Sequence, residues 1–413
     1  MLKRLIAIVF IFLCTTAAWM ILGSTVMDRT YSSEPDLRDK VASSWGSAQV
    51  QLPPSFTYTR AMELVKGEAP LPVESTRIDA DLNLDYRQKG LLWYSTYLVS
   101  FAGTYEFRND TDEDRDVHIH WPFPSQKALY DDMVLSVNDA VLPFVNKDGV
   151  ATASIAIPAG KAALCRIAYR SHGLDSWAYS LGTDVAQVRN FRLQLTTNFR
   201  DVDFPENALS PSVKAETPQG WRLTWDYRNV VSGYQIAVAM PARLQPGPLA
   251  GEISYFAPVS LFFFFFVMLM VTTLRRIELH PMNYFFLAAA FFAFHLLLAY
   301  LVDHISVHAA FLIASLVSTG LVVSYLRLVT GLQFAAREAG LAQFLYLVLF
   351  SYAFFFRGFT GLAITLGSIV TLFVAMQITG RVRWAEFFGE RRLASPAEAG
   401  NFDAVSGEVQ PGL

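Results

Sequence analysis

The stretch YFAPVSLFFFFFVMLMVTTL, Tyr255–Leu274, decides how this chain is read. It carries no charged side chain and is closed by Arg275-Arg276. About 20 predominantly apolar residues suffice for a helix to cross ~30 Å of hydrocarbon. In lipid the backbone polar groups must be satisfied within the segment, so the run is a helix; a membrane β-barrel would show alternating stretches of about ten residues. Working toward the C-terminus, four more apolar blocks follow: Met282–Val302, Ala309–Leu326, Leu341–Phe356 and Phe359–Thr379. The last two are read either as spans or as a re-entrant hairpin. Toward the N-terminus, Met1-Leu2-Lys3-Arg4 precedes an apolar run from Leu5 to Met27. That run is about 22 residues, longer than the roughly 7–15 of a cleaved signal peptide, and predicts an uncleaved signal anchor. The expected fold class is therefore a membrane protein: a bundle of about six helices, one N-terminal and five C-terminal, with an all-β sandwich-like domain outside the cytoplasm.

Composition agrees. Of 413 residues, 53% are hydrophobic and 17% charged, where a soluble chain carries about 25%. A formal net charge of −3 gives no basic surface for nucleic acid. Basic residues set the orientation. Lys3, Arg4, Arg275, Arg276, Arg327, Arg337, Arg381, Arg383, Arg391 and Arg392 fall on one predicted side, while Asp303–His308 on the other has no Lys or Arg. The positive-inside rule then puts both termini in the cytoplasm. Arg357 is the one discordant charge, and can snorkel from a helix end. The predicted units are an anchor at 1–27, an extracytoplasmic β-rich domain at 28–254, a bundle at 255–380 and a cytoplasmic tail at 381–413. Arg381–Arg392, with Trp384, Phe387 and Phe388, reads either as an interfacial helix or as a frayed helix end. After Glu390 no apolar face remains, so disorder is expected.

Between the spans, Tyr94–Phe107, Val117–Trp121, Met133–Val137, Ala151–Ile157, Ala162–Tyr169, Phe191–Thr197, Trp221–Tyr227 and Tyr234–Met240 alternate apolar and polar residues with turn residues between them. This pattern predicts one large β-sandwich or two small ones. Asp28–Leu91 is less regular: Asp36–Gly46 is read as a helix, and Pro53-Pro54 and Pro70/Pro72 as loops. The chain has two cysteines. Cys14 lies in the anchor and Cys165 in the polar domain, so no disulfide is expected. Bulky Ile11-Phe12-Leu13 ahead of Cys14 argues against lipidation.

Candidate chemistry is sparse. His118 and His120 share one face of a strand and could take a metal with Asp116 as third ligand, but solvated histidines are the commoner case. His295 falls near the middle of a span, where an ionisable group faces the bundle interior as a relay, a substrate contact or hydrogen-bonded packing. Asp303, His304 and His308 cluster in the outer loop, and His280-Pro281 opens a helix. No span shows a buried Asp or Glu. No GxSxG, phosphate loop, HExxH or CxxC occurs, and adjacent Ser171-His172 does not make a catalytic pair. The chain is thus expected not to be an enzyme and to need no cofactor. His280, His295, Asp303 and His304 are the candidate functional residues.

Ile277-Glu278-Leu279-His280-Pro281-Met282-Asn283-Tyr284 resembles the "IHPxxY" stretch that opens a helix in the CreD family of inner-membrane proteins. Asp303-His304-Ile305 followed by Ala310-Phe311-Leu312-Ile313-Ala314 is similar to its "E/D-H-I … A-Y-L-I-A" segment. Gly367-Ser368 and Arg381-Val382-Arg383-Trp384 are similar to its last helix, "GS" to "RRxDW". The family's acidic element before that Gly-Ser is replaced here by Thr360-Gly361-Leu362-Ala363-Ile364-Thr365. The resemblance implies a bacterial inner membrane and a role in cell-envelope integrity and stress, with no settled activity. The expectation is a non-enzymatic protein whose outer domain binds a periplasmic protein, glycan or lipid and is coupled to the bundle. The alternative is a small-molecule or lipid transporter, flippase-like, with contacts at His295, Tyr300 and His304.

Overall fold

A computed structural model describes residues 2–32, 34–62, 65–90, 92–356 and 358–380. The expectations for Arg357, for the basic-aromatic stretch 381–392 and for the tail lie outside the described residues. Among the described residues there are seven helices: α1 (Leu2–Tyr31), α2 (Glu34–Trp45), α3 (Pro246–Leu274), α4 (Pro281–Leu301), α5 (Val307–Thr330), α6 (Leu332–Phe355) and α7 (Thr360–Thr379). Among the described residues, six of them, all but α2, are long and apolar enough to cross a membrane.

Their ends differ from the sequence reading. α1 runs unbroken past Met27, carrying Arg29 in its last turn. α3 starts at Pro246, well before Tyr255, with Pro258 inside it. α6 starts at Leu332 rather than Leu341, so Arg337 and Glu338 fall inside a span expected to be free of acid. Glu338 is half-buried and is paired with Arg275, which is how a carboxylate is tolerated there. The backbone of α6 is irregular. It passes through π-helical turns at Ala335–Ala339 and Phe344–Leu349 and ends in a 3-10 turn at Ala353–Phe355. The second π turn is tied from two sides. The Ser260 hydroxyl donates to the Tyr346 carbonyl, and the Tyr346 hydroxyl donates to Thr371 Oγ1 at 3.0 Å.

The β-domain has sixteen strands in chain order: β1 (Gln49–Gln51), β2 (Ser55–Met62), β3 (Val65–Leu71), β4 (Val73–Lys89), β5 (Leu92–Arg108), β6 (Arg115–Pro122), β7 (Tyr130–Val137), β8 (Ala140–Val141), β9 (Val145–Lys147), β10 (Val150–Ile157), β11 (Ala162–Leu174), β12 (Ser176–Ser180), β13 (Ala186–Thr197), β14 (Val213–Glu216), β15 (Trp221–Ser232) and β16 (Gln235–Ala239). They form an eight-stranded sheet, order β14-β15-β13-β4-β5-β11-β7-β8, a five-stranded sheet, β3-β2-β6-β10-β9, and a three-stranded sheet, β1-β12-β16. Most pairs are antiparallel, while β4–β13 and β1–β12 are parallel.

Every strand expected from alternation is present. Four more, β1 to β4, occupy the stretch read as irregular. In β4, Ile78, Ala80 and Leu82 are buried while Arg77, Asp79 and Asp81 face water. Pro70 lies in β3 rather than a loop. β3 is an edge strand, where proline's missing N–H breaks no ladder. All three sheets feed one cluster: Phe56, Ile119 and Trp121 from the five-stranded sheet, Ile78, Phe107, Ile167 and Leu193 from the eight-stranded sheet, and Trp177 and Val238 from the third. Phe56 stacks on Phe107 with centroids 4.1 Å apart. Each large side chain buried there contributes about 1.5–3 kcal/mol. Cys165 is free and buried in this core, and burial pushes its thiol up to about 12; Cys14 is also free.

Chain contacts define two compact units, residues 13–257 with 289–318, and the described residues of 2–12, 258–288 and 319 onward. The predicted boundary at residue 28 therefore cuts through α1, and that at 254 through α3.

Candidate functional site

The most constrained part of the β-domain is the hairpin of β4 and β5. Lys89 pairs with Leu92 across a two-residue turn whose first member, Gly90, has φ +61, a conformation open to glycine. Its strands alternate, so the hairpin has two different faces. Arg87, Leu92 and Tyr94 lie on one, Tyr86, Trp93 and Ser95 on the other.

The first face is covered by α2, the helix that follows α1. Glu34 and Asp36 in its first turn suit the helix dipole. Val41 packs with Leu92, Tyr94 and Leu174 in a small separate core, joined by Leu37 and Ala42. Arg38 pairs with Asp175, and Trp45 is stacked between Arg87, 3.4 Å from its ring centre, and the His172 ring, 4.1 Å away. The second face is covered by the segment that leads into α3. The Pro241 carbonyl accepts from Tyr86 Oη at 3.0 Å and Ser95 Oγ at 2.8 Å. The Gln245 amide exchanges two 2.7 Å bonds with the Trp93 backbone, and Arg243 lies 4.0 Å over the Trp93 ring. One hairpin is thus held on opposite faces by the chain leaving α1 and the chain approaching α3.

Burial and the Arg87 charge hold the His172 imidazole below its ordinary 6.5. Asp131 and Asp85 act weakly the other way. Below the unfolded value the opened chain takes up a proton that the closed contact refuses, so the contact is stable at neutral pH and weakens from about pH 6.5 down to the lowered folded value. Amide exchange across Glu34–Trp45, corrected for intrinsic rates, should speed up between about pH 7.5 and 5.5 and should lose that dependence in His172→Gln. An unchanged protection ratio would mean that His172 does not govern the contact.

A second set of bonds ties the segment after α2 to the loop between β6 and β7. Ser47 Oγ lies 2.7 Å from Ser125 Oγ, the Ser47 N–H donates to the Lys127 carbonyl at 3.3 Å, and the Val50 N–H donates to the Pro124 carbonyl at 3.2 Å. Gln49 donates to the Ser171 hydroxyl at 2.8 Å, which donates to the Leu129 carbonyl at 2.7 Å. The same loop contributes to a cleft of about 420 Å³ lined by Phe123, Ser125, Gln126 and Tyr130 together with Asn146, Asp148 and Gly149.

The residues singled out from sequence are dispersed. In α4, His295 is 1% exposed and its Nδ1–H donates to the Phe291 carbonyl at 2.9 Å. Among the described residues its Nε2 has no hydrogen-bond partner, nor has the indole N–H of Trp19 in α1, although the two rings are 5.2 Å apart, edge to face. Asp303, just past α4, meets Arg29 of α1, with Nη1 to Oδ2 and Nη2 to Oδ1 both 3.3 Å, and Arg29 also reaches the Ala299 carbonyl at 3.4 Å and lies 5.7 Å from the centre of the Tyr300 ring. His304 is exposed beside this pair. His280 accepts the Met282 N–H at 3.3 Å, a cap on α4 just ahead of Pro281. His118 and His120 do share a face, Nε2 of His120 lying 3.8 Å from Glu68, but among the described residues no group of three His, Cys, Asp or Glu could hold a metal. The structure joins Asp303 to Arg29 and His295 to Trp19, and joins neither to His280.

Residues 252–385 match the family described as inner membrane protein CreD. The match covers every motif on which the resemblance rested, and with the six apolar helices it identifies an integral membrane protein with a CreD region and a large β-domain ahead of it. No curated protein matches the chain. Among solved structures, a putative nutrient binding protein of Legionella pneumophila aligns at 11% identity over 53% of this chain and 76% of its own, TM-score 0.33. A mutant M1 zinc metallopeptidase of Deinococcus radiodurans aligns at 11% identity over 41% of this chain and 42% of its own, TM-score 0.28. Leukotriene A4 hydrolase of Saccharomyces cerevisiae gives 10% identity, 41% and 29%, TM-score 0.26. The chain spans less than half of either enzyme. Likenesses at these scores say nothing about chemistry.

Proposed function

We propose that this CreD-like chain is a non-enzymatic inner-membrane protein of the cell envelope, in which the β-domain lies outside the cytoplasm, binds a partner or ligand, and passes that bound state to α1 and α3. The observation that carries the reading is the β4–β5 hairpin gripped by α2 on one face and by residues 241–245 on the other. A merely tethered domain needs flexible connections. Here both connections are short and bonded, so a shift of the hairpin has to be shared by the two helices that follow from it. The orientation is supported by Arg275, Arg276, Arg327 and Arg337, on the same predicted side as Lys3 and Arg4.

Complementation tests the coupling. In a strain deleted for the gene and carrying an envelope-stress reporter, the wild-type chain should restore the response. The Trp93→Ala/Gln245→Ala double variant, present at the same level in the membrane, should not. Full restoration by the double variant, or no phenotype on deletion, would overturn the proposal. A reporter fused after residue 150 should report the extracytoplasmic side.

A further inference from the structure

The cleft between the β6–β7 loop and the β9–β10 hairpin has a lining that specifies a chemical class. Two aromatic rings, Phe123 and Tyr130, 4.9 Å apart, line it. The carboxamides of Gln126 and Asn146 and the carboxylate of Asp148 also line it, and among the described residues no Lys or Arg does. Asp148 and Gly149, both cleft-lining, form the two-residue turn between paired Lys147 and Val150, with φ +51 and +79. Gly149 keeps the opening clear, since a Cβ there would come within 3.1 Å of the Gln126 amide nitrogen.

The nearby backbone donors are already used. The Phe123 N–H goes to the Gly149 carbonyl at 2.9 Å, the Ser125 N–H to Tyr130 Oη at 2.8 Å, and the Lys127 N–H to Ser125 Oγ at 3.1 Å. A peptide added as a strand would need a free backbone ladder, and β9 offers only Val145–Lys147. What remains for a ligand is side-chain amide, carboxylate and aromatic surface. An anionic ligand would meet the Asp148 carboxylate, while none of the lining side chains is a cation. A neutral, hydroxyl-bearing ring presents apolar C–H faces to aromatic rings and paired hydroxyls to carboxamides, and the volume falls within the roughly 300–1,000 Å³ of small-molecule sites.

We infer that this cleft binds a neutral saccharide, a pyranose unit or the end of a glycan chain. The inference rests on the functional reading above, because it names the ligand of the domain said to be coupled. The cleft loop carries Ser125 and Leu129, which are bonded to Ser47 and, through Ser171, to Gln49, the segment directly after α2.

The test uses the full chain in phospholipid nanodiscs free of glycoside detergent. Saturation-transfer difference NMR is run with chitotriose, maltotriose and, as the peptide arm, trialanine. Transfer is expected to the ring protons of at least one sugar, and should fall at least about tenfold in Gln126→Ala/Asn146→Ala. Both positions are exposed, so folding is not at stake. Three results would overturn the saccharide assignment: no transfer to either sugar, undiminished transfer in the variant, or transfer to trialanine alone. If the cleft variant fails to restore the stress response while no sugar binds, the assignment falls and the coupling stands. If sugars bind but Trp93→Ala/Gln245→Ala complements fully, the coupling falls and the assignment stands.

Discussion

Trp121→Ala should destabilise the β-domain by about 3–5 kcal/mol, the cost of removing a large aromatic from a closed core. Trp121 is fully buried, on β6, in ring contact with Phe123 at 4.9 Å and Tyr169 at 5.5 Å. The sheet around it cannot collapse to fill the gap, because β6 is held by β2 on one side and β10 on the other. Its indole N–H has no protein partner, so no hydrogen bond is lost and the penalty is one of packing. Trp121→Phe should therefore keep more than half of the lost stability. Urea unfolding followed by tryptophan fluorescence reads the difference directly. A shift under about 1 kcal/mol for the alanine variant would contradict the packing described for this strand. Because Phe123 lies two residues on, the alanine variant should also loosen the cleft, visible as faster amide exchange in the β6–β7 loop.

His295→Ala should cost about 2–5 kcal/mol, whereas His295→Phe should stay within about 2 kcal/mol of wild type and should keep function. The imidazole fills space against Trp19 and Phe294, with centroids 5.2 and 4.9 Å away. Its single bond goes to the carbonyl one turn back on its own helix, which phenylalanine surrenders cheaply. Deleting the unpartnered Nε2 removes a buried polar atom. Heating in detergent followed by size-exclusion of the soluble fraction measures both variants. Should His295→Phe fold, reach the membrane and still fail to complement, the ring is acting chemically, and the transporter reading gains what the packing reading loses.

The broad architecture was legible because it rests on long-range composition. Tyr255–Leu274 is uncharged over a full bilayer crossing, and β5, β6 and β11 alternate cleanly. β4 was missed despite the regular alternation of Ile78, Ala80, Leu82 and Leu84 with Arg77, Asp79, Asp81 and Asn83. The prolines before it and the density of its charges disguised a strand that has one wet face. The start of α6 was missed because Arg337, Glu338 and Gly340 look like a loop, and only the Arg275 pairing shows how that charge is carried. The cleft could not be read at all. Phe123 and Asp148 are brought together by the register that pairs Trp121 with Ala151, and no local pattern encodes a register. His280, His295, Asp303 and His304 stand out in the sequence by residue type. Type alone could not show that Arg29 and Trp19, both in the N-terminal helix, supply the partners of Asp303 and His295.

The parallel pairing of β4 with β13 also bears on how the domain is made. Thr76 must wait for Phe191, and β13 in turn is flanked by β15. A chain emerging from its N-terminus exposes β4 and β5 as a long hairpin whose open edge stays unsatisfied through much of synthesis. High contact order of this kind slows folding and invites edge-to-edge association. The nascent domain should therefore lean on holdase chaperones until the chain has been made through Ser232, and truncations ending before Ala186 should aggregate rather than accumulate as smaller folded pieces.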